Sequence, residues 1–404
     1  VGFVIGVIVF ALGLLLSIAW HECGHMWAAQ RTGMVVRRYF VGFGPTLWST
    51  RRGGTEYGVK AIPLGGFCDI AGMTTYDEIA PEHADRAMFR QKAWKRLVVL
   101  AAGPAQNFIL GFVLIVILAI GWGLPNLNPP PAPAQVAETS CVSATVAGDG
   151  SSAPCVGTGP AAAAGLQPGD VIVSVNGANV TTAAQMTPLV RYSTGPLDLQ
   201  VRRDGVVRQV QVTPQTVTYE AGTGTGLKEP LTFRQIGIAY PQQTHRDFTL
   251  AGAVPGAVVF TGQLAHATWD ALISLPQKVG ALWTAVTGGE RAMDTPVSVY
   301  GATVLGGDAA EAGQWQSLVL LLVSINFFLG LFNLVPLLPL DGGHMAIVGY
   351  EKLRDAVRRR LGKPRGGPVD YLKLMPATYA VLAVMGCYMV LTLTADIVNP
   401  LKVF

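Results

Sequence analysis

Charge is what this sequence has least of. Only 13% of its 404 residues are Asp, Glu, Lys or Arg, against roughly 25% in soluble domains. Half of the chain is apolar, so an ordinary water-facing globule is excluded and a membrane protein is expected. Cysteine is scarce as well, five in all, which excludes a small disulfide-framed scaffold. The net charge is only +4 and its basic residues cluster beside apolar runs. That placement reads as membrane anchoring and implies no nucleic-acid partner.

A spanning helix needs about 20 mostly apolar residues. Four stretches qualify, Val1 to Ala29, Leu97 to Gly123, Leu318 to Leu340 and Leu374 to Ala395, and Glu22 is the only charged residue in any of them. The first lacks the basic region and small-residue cleavage pattern of a signal peptide, so it is expected to be retained. Basic residues crowd the segments 31–96 and 350–373. Both are therefore expected in the cytoplasm, with both termini and the stretch from Leu124 to about Gln316 outside.

The run "AGAVPGAVVFTGQLAHATW" tempts a fifth span. Pro255, Gln263 and His266 argue against it, and a lone extra span would move the basic loop outside. Interfacial amphipathic helices are expected over 242–314 instead. Cys141 and Cys155 fall in the outer segment, where oxidation permits a disulfide; two unpaired small residues are the alternative. Cys23, Cys68 and Cys387 are expected to be reduced.

A proline-rich linker, 124–135, leads into a globular segment, 136–241. There the pattern predicts a short Ala-rich helix, a strand over Val171 to Val175, a turn at Asn176 and Gly177, and a second helix. A hairpin turning at Asp204 and Gly205 follows, and "RQIGIAY" is expected to close the sheet. The phrase PAxxAGLxxGDxIxxVNG, Pro160 to Gly177, resembles a circularly permuted bacterial PDZ domain. Such domains add a peptide strand to a sheet edge; a plug or size filter is the alternative. Within the segment 31–96, "RRYFVGFGPTLWSTRRGGTEYGVKAIPLGGF" reads as two strand-like runs about a turn at Arg52 to Gly54, rich enough in glycine and apolar residues to dip back toward the membrane, with a plain cytoplasmic hairpin as the alternative.

The densest chemistry lies in "IAWHECGHMWAAQ" at 18–30. Residues four apart share a helix face, so His21 and His25 can offer two imidazoles to one metal, with Glu22 as general base in an H-E-x-x-H arrangement. Ionisable residues inside a span are costly and mark function. From His21 to Arg31 is ten residues, about 15 Å of helix, which places the cluster inside the bilayer toward the cytoplasm. Catalytic zinc needs a third protein ligand. "NLVPLLPLDGGH", 333–344, supplies Asp341 just after Pro336 and Pro339, eleven residues before Lys352 and so at a similar depth. Cys23 points away from the histidine pair. His83, His245 and His266 fall in no ligand-spacing pattern and read as surface or interface residues.

With HExxH in the first span, NxxPxxPxDG ending a later one, a PDZ-like module between them and "GPAQNF" at 103–108, the chain resembles the site-2 protease family of intramembrane zinc metalloproteases. A single PDZ and four spans are similar to its actinobacterial members. The resemblance implies one Zn2+ per chain on His21, His25 and Asp341, Glu22 as base, and cleavage of single-span membrane substrates. Anti-sigma factors already trimmed by a site-1-type protease are the substrates it implies, in a plasma-membrane enzyme whose PDZ faces outside. Asn107, on that resemblance, and Asn333, on its polarity within an apolar span, are candidates to bind the substrate backbone, with interhelical bonding as the equal alternative; Asn326 fits interhelical bonding better. His344 could orient the Asp341 carboxylate or simply end a helix. The expected fold is an α-helical polytopic membrane protein: spans at 1–30, 97–123, 315–349 and 374–398, a membrane-associated β-hairpin and an inserted α+β PDZ domain. The rival from another class is a non-enzymatic membrane zinc-binding or transport protein on a PDZ scaffold. That rival needs neither the glutamate nor an open metal position, but it does need a chain of polar groups across the membrane, and none is evident.

Overall fold

The computed structural model describes residues 1–404 apart from 75, 128, 149–150, 223–228, 242–244, 402 and 404, with only the backbone of Leu64. The chain divides into two compact units. One comprises Val1–Leu124 with Asp247–Phe404, and the other Pro125–Arg246.

The first unit opens with helix α1 (Gly2–Arg31), uncharged until Glu22. Strands β1 (Val36–Arg52) and β2 (Thr55–Ile70) follow, turning at Gly53 and Gly54, both at positive φ. The pair is more than a plain hairpin. Residues 36–41 of β1 pair with the end of β2 at 66–70 and also with its start at 56–59, so each strand doubles over. Gly42, Gly44 and Gly65 take positive φ at these bends, which only glycine does without strain. Tyr39 in this sheet donates from its hydroxyl to the Ala19 carbonyl of α1 at 2.7 Å.

Helix α2 (Ala93–Gly121) returns along α1. Its register is antiparallel, with Asn107 opposite His21 and Val99 opposite His25.

In the second unit, helix α3 (Gly159–Ala163) precedes the strand Val171–Val175, and helix α4 (Ala183–Arg191) follows it. Asn176 with Gly177 and Asp204 with Gly205 have positive φ at two turns, the asparagine-glycine and aspartate-glycine hairpin chemistry expected there. The main sheet has four strands: Ala178–Asn179, Val171–Val175, Leu197–Arg203 and Val206–Val212 in spatial order. Inward residues Ile172, Val175, Leu197, Leu199 and Val201 build its core. Two expectations are corrected here. The "RQIGIAY" segment does not close this sheet: Leu231–Gln235 joins a separate three-stranded sheet, and Ile238–Ala239 pairs with Glu138–Thr139. The end of the proline-rich linker is also part of the unit, because Ala134 and Val136 are fully buried in its core and Ile172 donates to the Ala134 carbonyl. Cys141 and Cys155 form a disulfide with Cα atoms 5.8 Å apart.

The first unit resumes with helix α5 (Leu250–Ser274), which runs through a tight turn of helix at Leu275–Lys278 into α6 (Val279–Val286). Pro255, counted with Gln263 and His266 against a fifth span, stands at the sixth position of α5, inside a helix that continues through it. Leu250–Val286 is thus a fifth helix long and apolar enough to cross a membrane, where interfacial amphipathic helices were expected; residues 242–244 lie outside the described residues. Helix α7 (Val299–Glu311) packs its small residues Gly306, Gly307 and Ala310 against the start of α1. Helix α8 (Trp315–Asn333) lies beside α1 and α2: Asn326 Nδ2 donates to Ser17 Oγ at 2.9 Å, and Phe327 stacks edge-on with Phe108. Asn326 therefore makes the interhelical contact that polarity within an apolar span suggested.

The expected single span over 315–349 is two helices. The chain leaves α8 at Asn333, passes Pro336 and Pro339, and enters helix α9 (Asp341–Arg360) at Asp341. Neither proline can continue a helical hydrogen-bond ladder. Helix α10 (Met375–Val398) completes the unit. Its buried Asp396 meets Arg291 at 2.6 Å and accepts from the Ser298 amide.

Candidate metal centre

The HExxH stretch forms the last third of α1, so its helical spacing turns His21 and His25 to one face. Their Nε2 atoms stand 3.1 Å apart. Each ring is held from behind by α2. His25 Nδ1 lies 2.8 Å from the Val99 carbonyl oxygen, which has no proton to give. His25 therefore donates through Nδ1 and keeps the Nε2 lone pair free. His21 Nδ1 lies 3.2 Å from the amide of Asn107. The terminal oxygen and nitrogen of an amide are exchangeable by rotation, and Asn107 Oδ1 is buried with no partner. With the amide turned so that this oxygen accepts from Nδ1, His21 also directs a free lone pair from Nε2.

Asp341 opens α9, and its carboxylate arrives opposite both rings. Oδ2 is 3.2 Å from His21 Nε2 and 3.3 Å from His25 Nε2, and it makes no hydrogen bond. The three ligand atoms lie within 4.8 Å of one another. The tight approach of the 334–338 backbone to Gly342 and Gly343 makes this placement sharp, since a Cβ at either glycine would collide with that backbone.

These side chains fit a metal. Three donors converge with their lone pairs inward, and the space between them is kept clear by Gly103 of α2. A Cβ there would press on His25 Nε2 and come within 2.7 Å of His21 Nε2. Two imidazoles and a carboxylate form the donor set of hydrolytic zinc sites.

The cluster borders a cavity of about 340 Å³ lined also by Glu22, Cys68, Met73, Asn107 and Asn333. Glu22 shares the cavity wall with the ligand trio. It faces the backbone of β2, where Gly66 lies close to its side chain and Cys68 lines the same cavity. Asn333, at the end of α8, faces the cavity, whereas Asn107 is committed to His21. His344 is placed differently: its Nδ1 meets Tyr371 Oη at 3.1 Å and the rings stack, so among the described residues its partner is Tyr371 and not Asp341. His266 pairs with Asp270 on the exposed face of α5.

The model of peptidase family M50 matches residues 9–364. The chain belongs to peptidase family M50. It is 53% identical over its whole length to the zinc metalloprotease Rip1 of Mycolicibacterium smegmatis, covering 99% of that protein. It is 49% identical to Rip1 of Mycobacterium tuberculosis strain H37Rv over the same shares, and 27% identical to metalloprotease MmpA of Caulobacter vibrioides over 87% of each chain. For an M50 chain, the residues that sequence reasoning passed over are mostly backbone. The Val99 carbonyl has no letter of its own. Gly103 was visible only as the first residue of GPAQNF.

Proposed function

We propose that this chain is an intramembrane zinc endopeptidase that cleaves single-span membrane proteins within or beside their membrane segment. The observation that carries this reading is the convergence of His21, His25 and Asp341 on one point, with Glu22 on the wall of the same cavity.

Zinc, when bound there, supplies a Lewis acid that acidifies a water and polarises the scissile carbonyl. His21, His25 and Asp341 hold it. The rest of the chemistry belongs to side chains already in place. Glu22 takes the proton of the attacking water and passes it to the departing amine nitrogen. Val99 and Asn107 fix the two imidazoles from behind, as such partners do in zinc sites. Asn333 is free to hold a backbone group of the unwound substrate.

Four membrane spans, α1, α2, α8 and α10, fit the helix directions. Gly13 lies against Leu322 and Ser17 bonds Asn326, so α8 runs the same way as α1; α2 runs the opposite way. The chain between α2 and α8 must then cross an even number of times. Helix α6 keeps the same direction as α10, since Tyr388 bonds Leu275 and Asn399 bonds Ala285. An even count is met when the run Leu250–Val286 enters and leaves on one side. The metal cluster lies at the ends of α1 and α8 that lead into the basic segments, the cytoplasmic side. The PDZ-like unit is extracytoplasmic in this arrangement, which the Cys141–Cys155 disulfide supports. On the family resemblance, the substrates are anti-sigma factors first trimmed outside by a site-1-type protease.

The test is zinc content and cleavage of a pre-trimmed single-span substrate in detergent, wild type beside Glu22→Ala. The variant should keep its zinc and lose cleavage by about 100-fold or more, the scale of general acid–base catalysis. Zinc bound without cleavage in either protein would instead favour a zinc-binding scaffold or transporter.

A further inference from the structure

Helix α9 leaves the metal centre with one face unaccounted for. Its buried residues Ile347 and Val348 pack inward. On another face Tyr350, Leu353, Val357 and Leu361 are 57%, 66%, 48% and 64% exposed. Their spacing of three, four and four residues makes a single stripe along the helix. Four large apolar side chains in one exposed row are unusual on a surface meant for water.

The charges around the stripe are one-sided. Both acids of this half are satisfied within the protein. Glu351 holds Arg96 at 2.6 Å and the Val369 amide, and Asp355 holds Arg354 and the Gly366 amide. Asp370, further on, accepts from Tyr76 Oη at 2.7 Å. Lys352, Arg359, Arg360 and Lys363 have no carboxylate partner among the described residues. Helical spacing sets Arg360 on one flank of the stripe, where a long basic side chain lays its stem on apolar surface and lifts its head to anions. Both ends of the segment are also tethered. It begins at Asp341 in the cavity and runs into α10 at Met375.

We propose that the outer half of α9, from Tyr350 to Leu361, docks on the anionic lipid headgroups of the membrane holding this protein, with the apolar stripe among the acyl chains and the unpaired bases on the phosphates. The tethering, the amphipathic stripe and the surplus positive charge all select a negatively charged bilayer surface over a soluble partner. Because Asp341 is the first residue of the same helix, this docking sets the tilt of the element that carries the carboxylate of the proposed metal site. The docking itself does not depend on the proposed protease activity.

The test uses the full chain in nanodiscs with and without phosphatidylglycerol, Cys387 replaced by serine, and spin labels placed one at a time on Leu353→Cys, Leu361→Cys and Arg359→Cys. In discs with phosphatidylglycerol, labels at 353 and 361 should be open to oxygen and shielded from a water-soluble nickel chelate, while the label at 359 should meet nickel. Neutral discs should release the two stripe labels toward water. Arg360→Gln with Lys363→Gln should do the same in charged discs, each removed base weakening the attraction about fivefold. Equal shielding in both kinds of disc overturns the anionic requirement. Stripe labels that meet nickel in charged discs overturn membrane docking. Labels shielded from both reagents place the stripe against protein, such as a second copy of the chain, and overturn the proposal as well. Zinc content, measured on the same samples, reports separately on the metal centre, so failure of the docking and failure of the protease reading remain distinguishable.

Discussion

At the scale of single residues, the metal centre depends as much on an absent side chain as on the four that carry chemistry. Gly103 faces the two Nε2 atoms, and even a methyl group there would occupy the space where their lone pairs converge. Gly103→Ala should therefore cut zinc content toward zero while helix content, read by circular dichroism, stays at the wild-type level. Full zinc occupancy in that variant would show that the donors converge elsewhere. His21, Glu22, His25 and Asp341 could be picked out of the sequence because their chemistry is in their side chains and charge is rare in the spans around them. The Val99 carbonyl could not, because every residue owns such a group and only the folded backbone selects one of them.

At the scale of elements, periodicity located α1, α2 and α10 to within a few residues, since a long uncharged run has few other ways to satisfy its backbone in a membrane. It was less informative where proline intervened. Pro255 counted against a span yet stands inside α5, whereas Pro336 and Pro339 divide what read as one span into α8 and α9. In the second unit, the strand Val171–Val175 is tied to its neighbour by Asp170, which is buried and bonded by Arg203 at 2.7 Å from both Nε and Nη2. The Arg203 guanidinium, joined by the Gln167 amide, holds the Asp170 carboxyl below its usual range. A carboxylate whose folded pKa is depressed contributes stability that is fully present above its unfolded value, about 3.9, and that is lost as pH falls through the lower folded value. Arg203→Met should destabilise this unit at neutral pH by about 3 kcal/mol, because it strands a buried charge, and should flatten the acid limb of its unfolding profile. Chemical denaturation followed at several pH values checks both effects.

At the scale of the whole molecule, the chain is an M50 peptidase with an inserted unit between its second and third proposed spans. The metal trio, Glu22 and the cavity all belong to Val1–Leu124 and Asp247–Phe404. If the inserted unit is a size filter, replacing Pro125–Arg246 by a short flexible linker should leave zinc content and cleavage of a pre-trimmed substrate near wild type, while full-length substrate is cut by the deletion protein and not by the intact one. Full-length substrate that stays uncut by the deletion protein, with trimmed substrate still cleaved, would rule out the size-filter role of the inserted unit.

The sequence by itself determined that this protein belongs in a membrane, where its basic segments lie, and which side chains are candidates to hold a metal. Those properties follow from composition and from spacing within one helix, so they need no knowledge of distant contacts. Only the tertiary structure decided that Asp341 meets His21 and His25, that Asn107 backs one imidazole, and that His344 turns to Tyr371. Each of these joins residues 27 to 320 positions apart, and such pairings are set by how α1, α2 and α9 pack, which no local pattern encodes.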